Sequence, residues 1–494
     1  MITRQTTISD LPHILYRPER DHQFPIGQCD CARTVEIASP EPSAPFLNTS
    51  YVLHDPFLSV PLTSYGYYAM IGKASGCTVL NRSALELVTY FKEPHSLENV
   101  PELWRERWNE NILTSALIQM IKLGLLVPKS NAAPKIHAHS ATLSAWLHIT
   151  ECCNLRCSYC YLPHTGNAMS IETGCAAIDA TFRSALIHGY RKIQFKYAGG
   201  EPLLRFDRIA AVHQYAEALS HQHRVSLAGV VLSNGTLLTA DMVNQMQSLG
   251  LRLMISLDGL GDGHNCHRSY TDGYGSFEAV SKAIDRAVSY GLIPDISITV
   301  SGRNIEGLPE LVEWLLLRDL PFSLNFYREH DRSSSDSDLH LEEKKIIEGM
   351  LKTYKVIEAN LPQRSLLTSL ADCANFTAPH LRTCNVGQSY LVFDSQGRVA
   401  KCQMDIDDTI TDIHDPDPLS RVCENLEGIQ SVSVEEKQEC SDCQWRYWCA
   451  GGCPLLTHRV TGSYNLKSPN CTMYKTLYPE VIRLEGLRVL HYSS

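Results

Sequence analysis

Three cysteines stand within eight residues in the run Cys153-Asn-Leu-Arg-Cys157-Ser-Tyr-Cys160. Three thiolates at x3 and x2 spacing can wrap one iron–sulfur cluster while leaving its fourth iron without a protein ligand. The run follows AWLHIT, an apolar stretch that reads as a strand. An open metal position at the C-terminal end of a strand is where α/β folds bind their ligands. A zinc site or coincidence is the blander reading, and three Cys in so short a span disfavours coincidence. Cys152 would give x4 spacing and reads as a neighbour of the set. A second constellation lies downstream: Cys384-x12-Gly397-x4-Cys402, a gap of 37, Cys440-x2-Cys443-x5-Cys449-x3-Cys453, and then Cys471. A zinc ribbon needs only four ligands, and this set offers seven.

The rest of the composition narrows the setting. The 494 residues include 44 basic and 54 acidic side chains, a net charge of −10, with no Lys/Arg-rich run, which argues against a nucleic-acid binder. The N-terminal stretch MITRQTTISDLPHILYRPER lacks the apolar core of a secretion signal, and the most apolar helical stretch, 112–127, is interrupted by Thr114, Ser115, Gln119 and Lys122. A cytoplasmic protein with no membrane span is expected, so the 18 cysteines are packed thiols or metal ligands, not disulfides.

Several elements must position these thiols. Residues 1–60 read as an irregular arm containing Cys29 and Cys31. Residues 61–135 read as a winged-helix-like unit: a hairpin of YAMIG and CTVLN, a helix opened by a Ser83/Glu86 capping box, a helix starting at Pro101, a third ending at Gly124, and a short LLVP strand. Its edge strand could pair with an extended peptide. Over 136–372 strands alternate with helices, the strands being AWLHIT, KIQFKYA, LAGVVLS, LRLMISL, DISITVS and SLNFY. That rhythm predicts parallel strands with crossover helices, in an open sheet or a barrel. Residues 373–494 are turn-rich and heavy in cysteine.

The first motif, C-x3-C-x-aromatic-C after a strand, resembles the signature of the radical S-adenosylmethionine (radical SAM) enzymes. Further matches follow in order over about 145–330: Gly199-Gly200-Glu201-Pro202 like a GGEP motif, Ser233-Asn234-Gly235, Ser256-Leu257-Asp258-Gly259, and His264 to Arg268. The resemblance implies an α/β fold with a partial (β/α)6 TIM-like barrel. It implies a 4Fe–4S cluster on Cys153, Cys157 and Cys160 whose open iron binds SAM and yields a 5′-deoxyadenosyl radical. SAM contacts would come from Tyr159 near the adenine, Glu201 and its glycines at the ammonium, and Ser233, Asn234, Ser256, Asp258 and Arg268. The second constellation resembles the SPASM extension with two auxiliary 4Fe–4S clusters. Cys440, Cys443, Cys449 and Cys471 would hold the distal one, and Cys384, Cys402 and Cys453 the proximal one. The proximal set is one ligand short: either Cys373 fills the place or an open iron remains for a substrate thiolate.

The winged-helix-like unit ahead of such a core resembles a leader-peptide recognition element. The whole is then similar to maturases that install a thioether or carbon–carbon cross-link in a ribosomally made precursor peptide. Such an enzyme would draw electrons from an external flavodoxin- or ferredoxin-type donor. A formylglycine-generating sulfatase maturase is the alternative, but there an acid follows the second motif Cys, and here Gln403 and Met404 precede Asp405. A zinc-scaffold binding protein would explain the cysteines alone. No catalytic base is named by the sequence.

Overall fold

The computed structural model describes residues 11–17, 49–72, 76–131, 141–332 and 336–493. Cys29 and Cys31 lie outside the described residues. The chain begins with β1 (Ile14–Tyr16), β2 (Ser50–Leu53), β3 (Phe57–Leu62), β4 (Tyr67–Gly72) and β5 (Gly76–Asn81). Helix α1 (Arg82–Tyr90), β6 (His95–Ser96), α2 (Glu102–Arg107), α3 (Glu110–Lys122) and β7 (Leu126–Pro128) follow. One antiparallel sheet has the order β1-β5-β4-β3 and a second the order β6-β2-β7. The expected hairpin is β4–β5, but parts of the arm read as irregular are strands. β1 lies along the β5 edge of the hairpin sheet, and the LVP strand pairs with β2. Helix α1 is capped not by Ser83 but by Asn81, whose side chain accepts from the Ala84 N–H. Glu86 instead pairs with Arg82 and Arg107.

The core continues as β8 (Thr142–Thr150), β9 (Leu155–Cys157), α4 (Ile171–Ile187), β10 (Lys192–Gly199), α5 (Phe206–His223), β11 (Ser226–Ser233), α6 (Ala240–Ser248) and β12 (Leu251–Ser256). Next come α7 (Asp262–Asn265), β13 (Arg268–Tyr270), α8 (Phe277–Ser289), β14 (Asp295–Val300), α9 (Leu308–Leu316), β15 (Phe322–Phe326) and α10 (Glu343–Ala359). The six expected strands stand side by side and parallel, in the order β8-β10-β11-β12-β14-β15. The two ends of the sheet do not pair, so the barrel is partial. Leu143, Ala145, Leu147 and Ile149 of β8 join the large core with α4 residues Ala177 and Ile178. The period of two then turns Trp146 and His148 to the other face, where Trp146 packs with Ala198 and Tyr390.

The cysteine-rich part adds β16 (Tyr390–Phe393), β17 (Arg398–Ala400), β18 (Thr409–Asp412), α11 (Pro418–Glu424), α12 (Arg446–Cys449), α13 (Pro454–Thr461) and α14 (Cys471–Ser493). β16 lies parallel to β8, and β17 and β18 carry the sheet onward antiparallel. Helix α14 returns to the amino-terminal unit and packs on β3, β4 and β5. Gly486 is what allows that approach, since a Cβ there would fall 2.5 Å from the Cβ of Ala69. Ala69 and Ile71 share the core with α14, while Met70 points to α1 and α3 on the other face. No helix among the described residues is long and apolar enough to cross a membrane.

Candidate active site

The first cysteine loop leaves β8 at its C-terminal end and is held from two sides. Its Leu155–Cys157 segment forms an antiparallel ladder with β13, which sets Cys157 opposite Arg268. On the other side the Gly200 N–H donates to the Thr150 carbonyl (2.7 Å) and the Glu201 N–H to the Cys152 carbonyl (2.8 Å). A Cβ at Gly200 would lie 2.2 Å from the Cys152 oxygen, so this close stitching needs glycine. Cys153, Cys157 and Cys160 influence one another's ionisation, which places the three thiols together. Burial pushes Cys153 up to about 11 and Cys157 up to about 12, so a bound cation must displace their protons before they act as ligands. Donors to sulfur are in place: Asn234 Nδ2 is 3.9 Å from Cys153 Sγ, and an Arg268 guanidinium nitrogen is 3.8 Å from Cys157 Sγ. Three thiols with such outer-shell donors fit an iron–sulfur cluster. Cys152 turns away and donates to the Thr165 carbonyl.

The remaining motif residues converge behind this loop. Glu201 is buried, and its carboxylate accepts from the Leu203 N–H (2.9 Å), the Ser233 hydroxyl (2.7 Å) and the Asn234 N–H (2.7 Å). Burial pushes it up to about 7 against those bonds. The acid therefore ties the GGEP turn to the end of β11, and the sequence-based expectation that it meets the SAM ammonium finds its oxygens already engaged. Asp258 is a second buried hub. It accepts from Arg268 Nε (2.6 Å), the Thr299 N–H (2.7 Å) and the Tyr159 hydroxyl. The guanidinium of Arg268 also lies 5.2 Å from the centre of the Tyr159 ring. Tyr159 is thus engaged with Asp258 and Arg268, whatever its other face meets. Ser256, at the end of β12, is buried close by in sequence.

The Arg268–Asp258 pair is nearly fully buried on both sides, so breaking it leaves a stranded carboxylate. Arg268→Met should cost about 3–5 kcal/mol in urea unfolding of the metal-free chain. Adding Asp258→Asn should recover part of that loss, and equal stability of the single and double variants would refute the coupling.

The seven downstream cysteines separate between two cavities. One is bordered by Cys440, Cys443, Cys449 and Cys471, with Tyr474 and Tyr478. The other is bordered by Cys384, Cys402 and Cys453, with Arg328, Tyr390 and Gln403. Among the described residues no group of three His, Cys, Asp or Glu is gathered as for a single metal ion; the thiols stand around voids instead. Cys373 is buried beside the second cavity but does not border it. Its sulfur accepts from Arg328 (2.8 Å), which also pairs with Asp372, and Asp372 accepts from the Tyr474 hydroxyl (2.9 Å). Gln403 is buried with its Oε1 3.1 Å from the Tyr390 hydroxyl.

Two groups escaped the sequence reading. His148 is 1% exposed, and neither ring nitrogen has a hydrogen-bond partner. Burial lowers it to about 4 against Glu151, Asp394 and Asp407. The alternation of Trp146, His148 and Thr150 along one strand face was the available signal. Lys437, three residues before Cys440, is also buried, and burial lowers its pKa while Cys440, Cys449, Cys384 and Cys453 oppose the shift.

Residues 147–315 match the family model of the Radical SAM superfamily. This part of the chain is a radical SAM domain, of the kind carried by enzymes. An uncharacterized protein of Archaeoglobus fulgidus is 23% identical over 348 residues, 68% of this chain and 79% of that one. The Fe-coproporphyrin III synthase of Methanosarcina barkeri is 26% identical over 231 residues, covering 44% and 53%, and a GTP 3′,8-cyclase of Clostridium botulinum is 29% identical over 184 residues, covering 36% and 53%. The chain thus spans about half the length of these named relatives. Among solved structures, native anSMEcpe with bound AdoMet and Cp18Cys peptide aligns with a TM-score of 0.57 at 19% identity, covering 70% of this chain and 98% of that one.

Proposed function

We propose that this chain is a radical SAM peptide maturase that closes a thioether or carbon–carbon cross-link in a ribosomally made precursor. The observation that carries the reading is the division of seven cysteines between two cavities, four and three, beside a radical SAM barrel. It fits the ligand sets that the SPASM resemblance implies, and seven thiols divided four and three exceed what one tetrahedral metal ion takes. A cluster and SAM held at Cys153, Cys157 and Cys160 would supply the deoxyadenosyl radical. The chain's own residues would position one substrate C–H bond and manage the proton. His148, on the barrel's inner face with both ring nitrogens unpartnered, is the residue we assign to accept that proton. The amino-terminal unit would hold the leader, and electrons would come from a flavodoxin- or ferredoxin-type donor. A peptide bound by the structural neighbour anSMEcpe supports a peptide as substrate class.

The test is co-expression with short peptides encoded beside the gene, followed by mass spectrometry. Loss of two hydrogens without reactivity toward a hydrazide aldehyde probe is expected, and it should vanish when the leader half of the peptide is omitted. Hydrazide reactivity would point to formylglycine instead. Modification of leaderless peptide at the full rate would remove the leader from the reading. Removing residues 1–135 from the enzyme is a poor alternative, because it strips the cover from α14, which begins at Cys471.

A further inference from the structure

One short stretch of chain joins the two cysteine-lined cavities. Cys449 of the first and Cys453 of the second are separated only by Ala450, Gly451 and Gly452, all with left-handed backbone at φ +47°, +81° and +72°. Lys437 lies against this bridge. Its ammonium reaches the Gly451 carbonyl at a long 3.5 Å, and a Cβ on Gly451 would fall 2.8 Å from that nitrogen. The glycine therefore makes the space that the lysine fills.

What this lysine lacks is equally informative. It is 2% exposed, and no carboxylate among the described residues pairs with it. Lys401, another buried lysine, donates to two carbonyls at 2.7 Å each. A buried ammonium with a single long bond is costly unless a counter-charge faces it. The charges that bear on Lys437 are those of Cys440 and Cys449 from one cavity and Cys384 and Cys453 from the other, while its place against Gly451 sets it at the stretch between Cys449 and Cys453. Metal binding deprotonates such thiols, so anionic sites would then stand on both sides of one cation.

We propose that Lys437 is a counter-charge shared by the two auxiliary iron–sulfur sites, and that it raises the reduction potential of both. The proposal rests on reading the seven cysteines as ligands of two clusters. A fixed positive charge favours the state that carries one more electron, so its removal must lower both potentials. Lys437→Met keeps most of the side-chain volume and Lys437→Arg keeps the charge.

The full-length chain and both variants would be reconstituted anaerobically, then compared by iron and acid-labile sulfide content and by redox titration followed by electron paramagnetic resonance. With equal iron in all three, Lys437→Met should make reduction of each auxiliary site about tenfold less favourable, 59 mV for a one-electron couple. The SAM-site potential should hold, and Lys437→Arg should stay near wild type. Unshifted auxiliary potentials at full iron content would overturn the role of Lys437. Wild-type iron amounting to two clusters or fewer per chain, where the SAM site and two auxiliary sites together call for three, would overturn the two-cluster reading beneath it, and the iron count tells these failures apart. If Lys437→Met binds less iron, melting of the metal-free chains decides. The variant no longer buries an unpartnered ammonium and should melt higher than wild type, and a lower melting point would overturn the proposal.

Discussion

Cys157→Ala should reduce reductive SAM cleavage to background, with 5′-deoxyadenosine falling to the level of a reaction without enzyme. Among the described residues three thiols meet at the end of β8, and the neighbouring Cys152 is turned to the Thr165 carbonyl instead. The substitution should spare the fold. Cys157 is held in the β9–β13 ladder through its backbone, and the next residue donates its N–H to the His267 carbonyl at 3.0 Å. Neither contact needs the thiol. The variant should therefore keep its far-ultraviolet circular dichroism and its auxiliary iron while losing the iron of one site. Cys152→Ala serves as the control and should cleave SAM at the wild-type rate. Deoxyadenosine formation that persists in Cys157→Ala would remove these three cysteines from the chemistry.

The three thiols behind that prediction are legible in the sequence, and the reason is physical. Ligands of one site that sit a few residues apart are local in sequence, so the spacing of Cys153, Cys157 and Cys160, or of Cys440, Cys443 and Cys449, records the geometry directly. The barrel strands were legible for a related reason: parallel strands covered on both faces are nearly continuous apolar runs, and all nine residues of β8 are buried. What depended on distant partners was not legible. β16 has only four residues and becomes a strand because it lies beside β8, some 240 positions earlier in the chain. Ser83 and Asn81 are equally good caps on local grounds. Asn81 prevails because its side chain also binds the His13 N–H and the Leu11 carbonyl, contacts brought by the β1 segment. Cys373 shows the same limit, since eleven residues of spacing do not reveal that Arg328 meets its sulfur.

His148→Gln should leave deoxyadenosine formation intact while lowering the yield of modified peptide by about 10²–10⁴-fold, the usual worth of a positioned proton acceptor. A radical centre that bonds to a new partner atom must release one electron, which a cluster held by the downstream cysteines would take up, and one proton, which needs a base inside the water-poor barrel. His148 has the required state. Burial holds it near 4, below the ordinary histidine value, so the imidazole is neutral across pH 6–8. A neutral ring has one nitrogen free to accept, and no hydrogen-bond partner in the chain occupies it. Its position follows from β8: the register sets His148 beside Ala198, on the face where Trp146 packs with Cys384 and Cys402. Product formation should accordingly stay level between pH 6 and 8, where a base with the ordinary histidine pKa would lose activity toward the acid side. Measuring deoxyadenosine and modified peptide in the same reaction separates the possibilities. A parallel fall in both would make His148 a packing residue, and an unchanged yield of modified peptide would remove it from proton transfer.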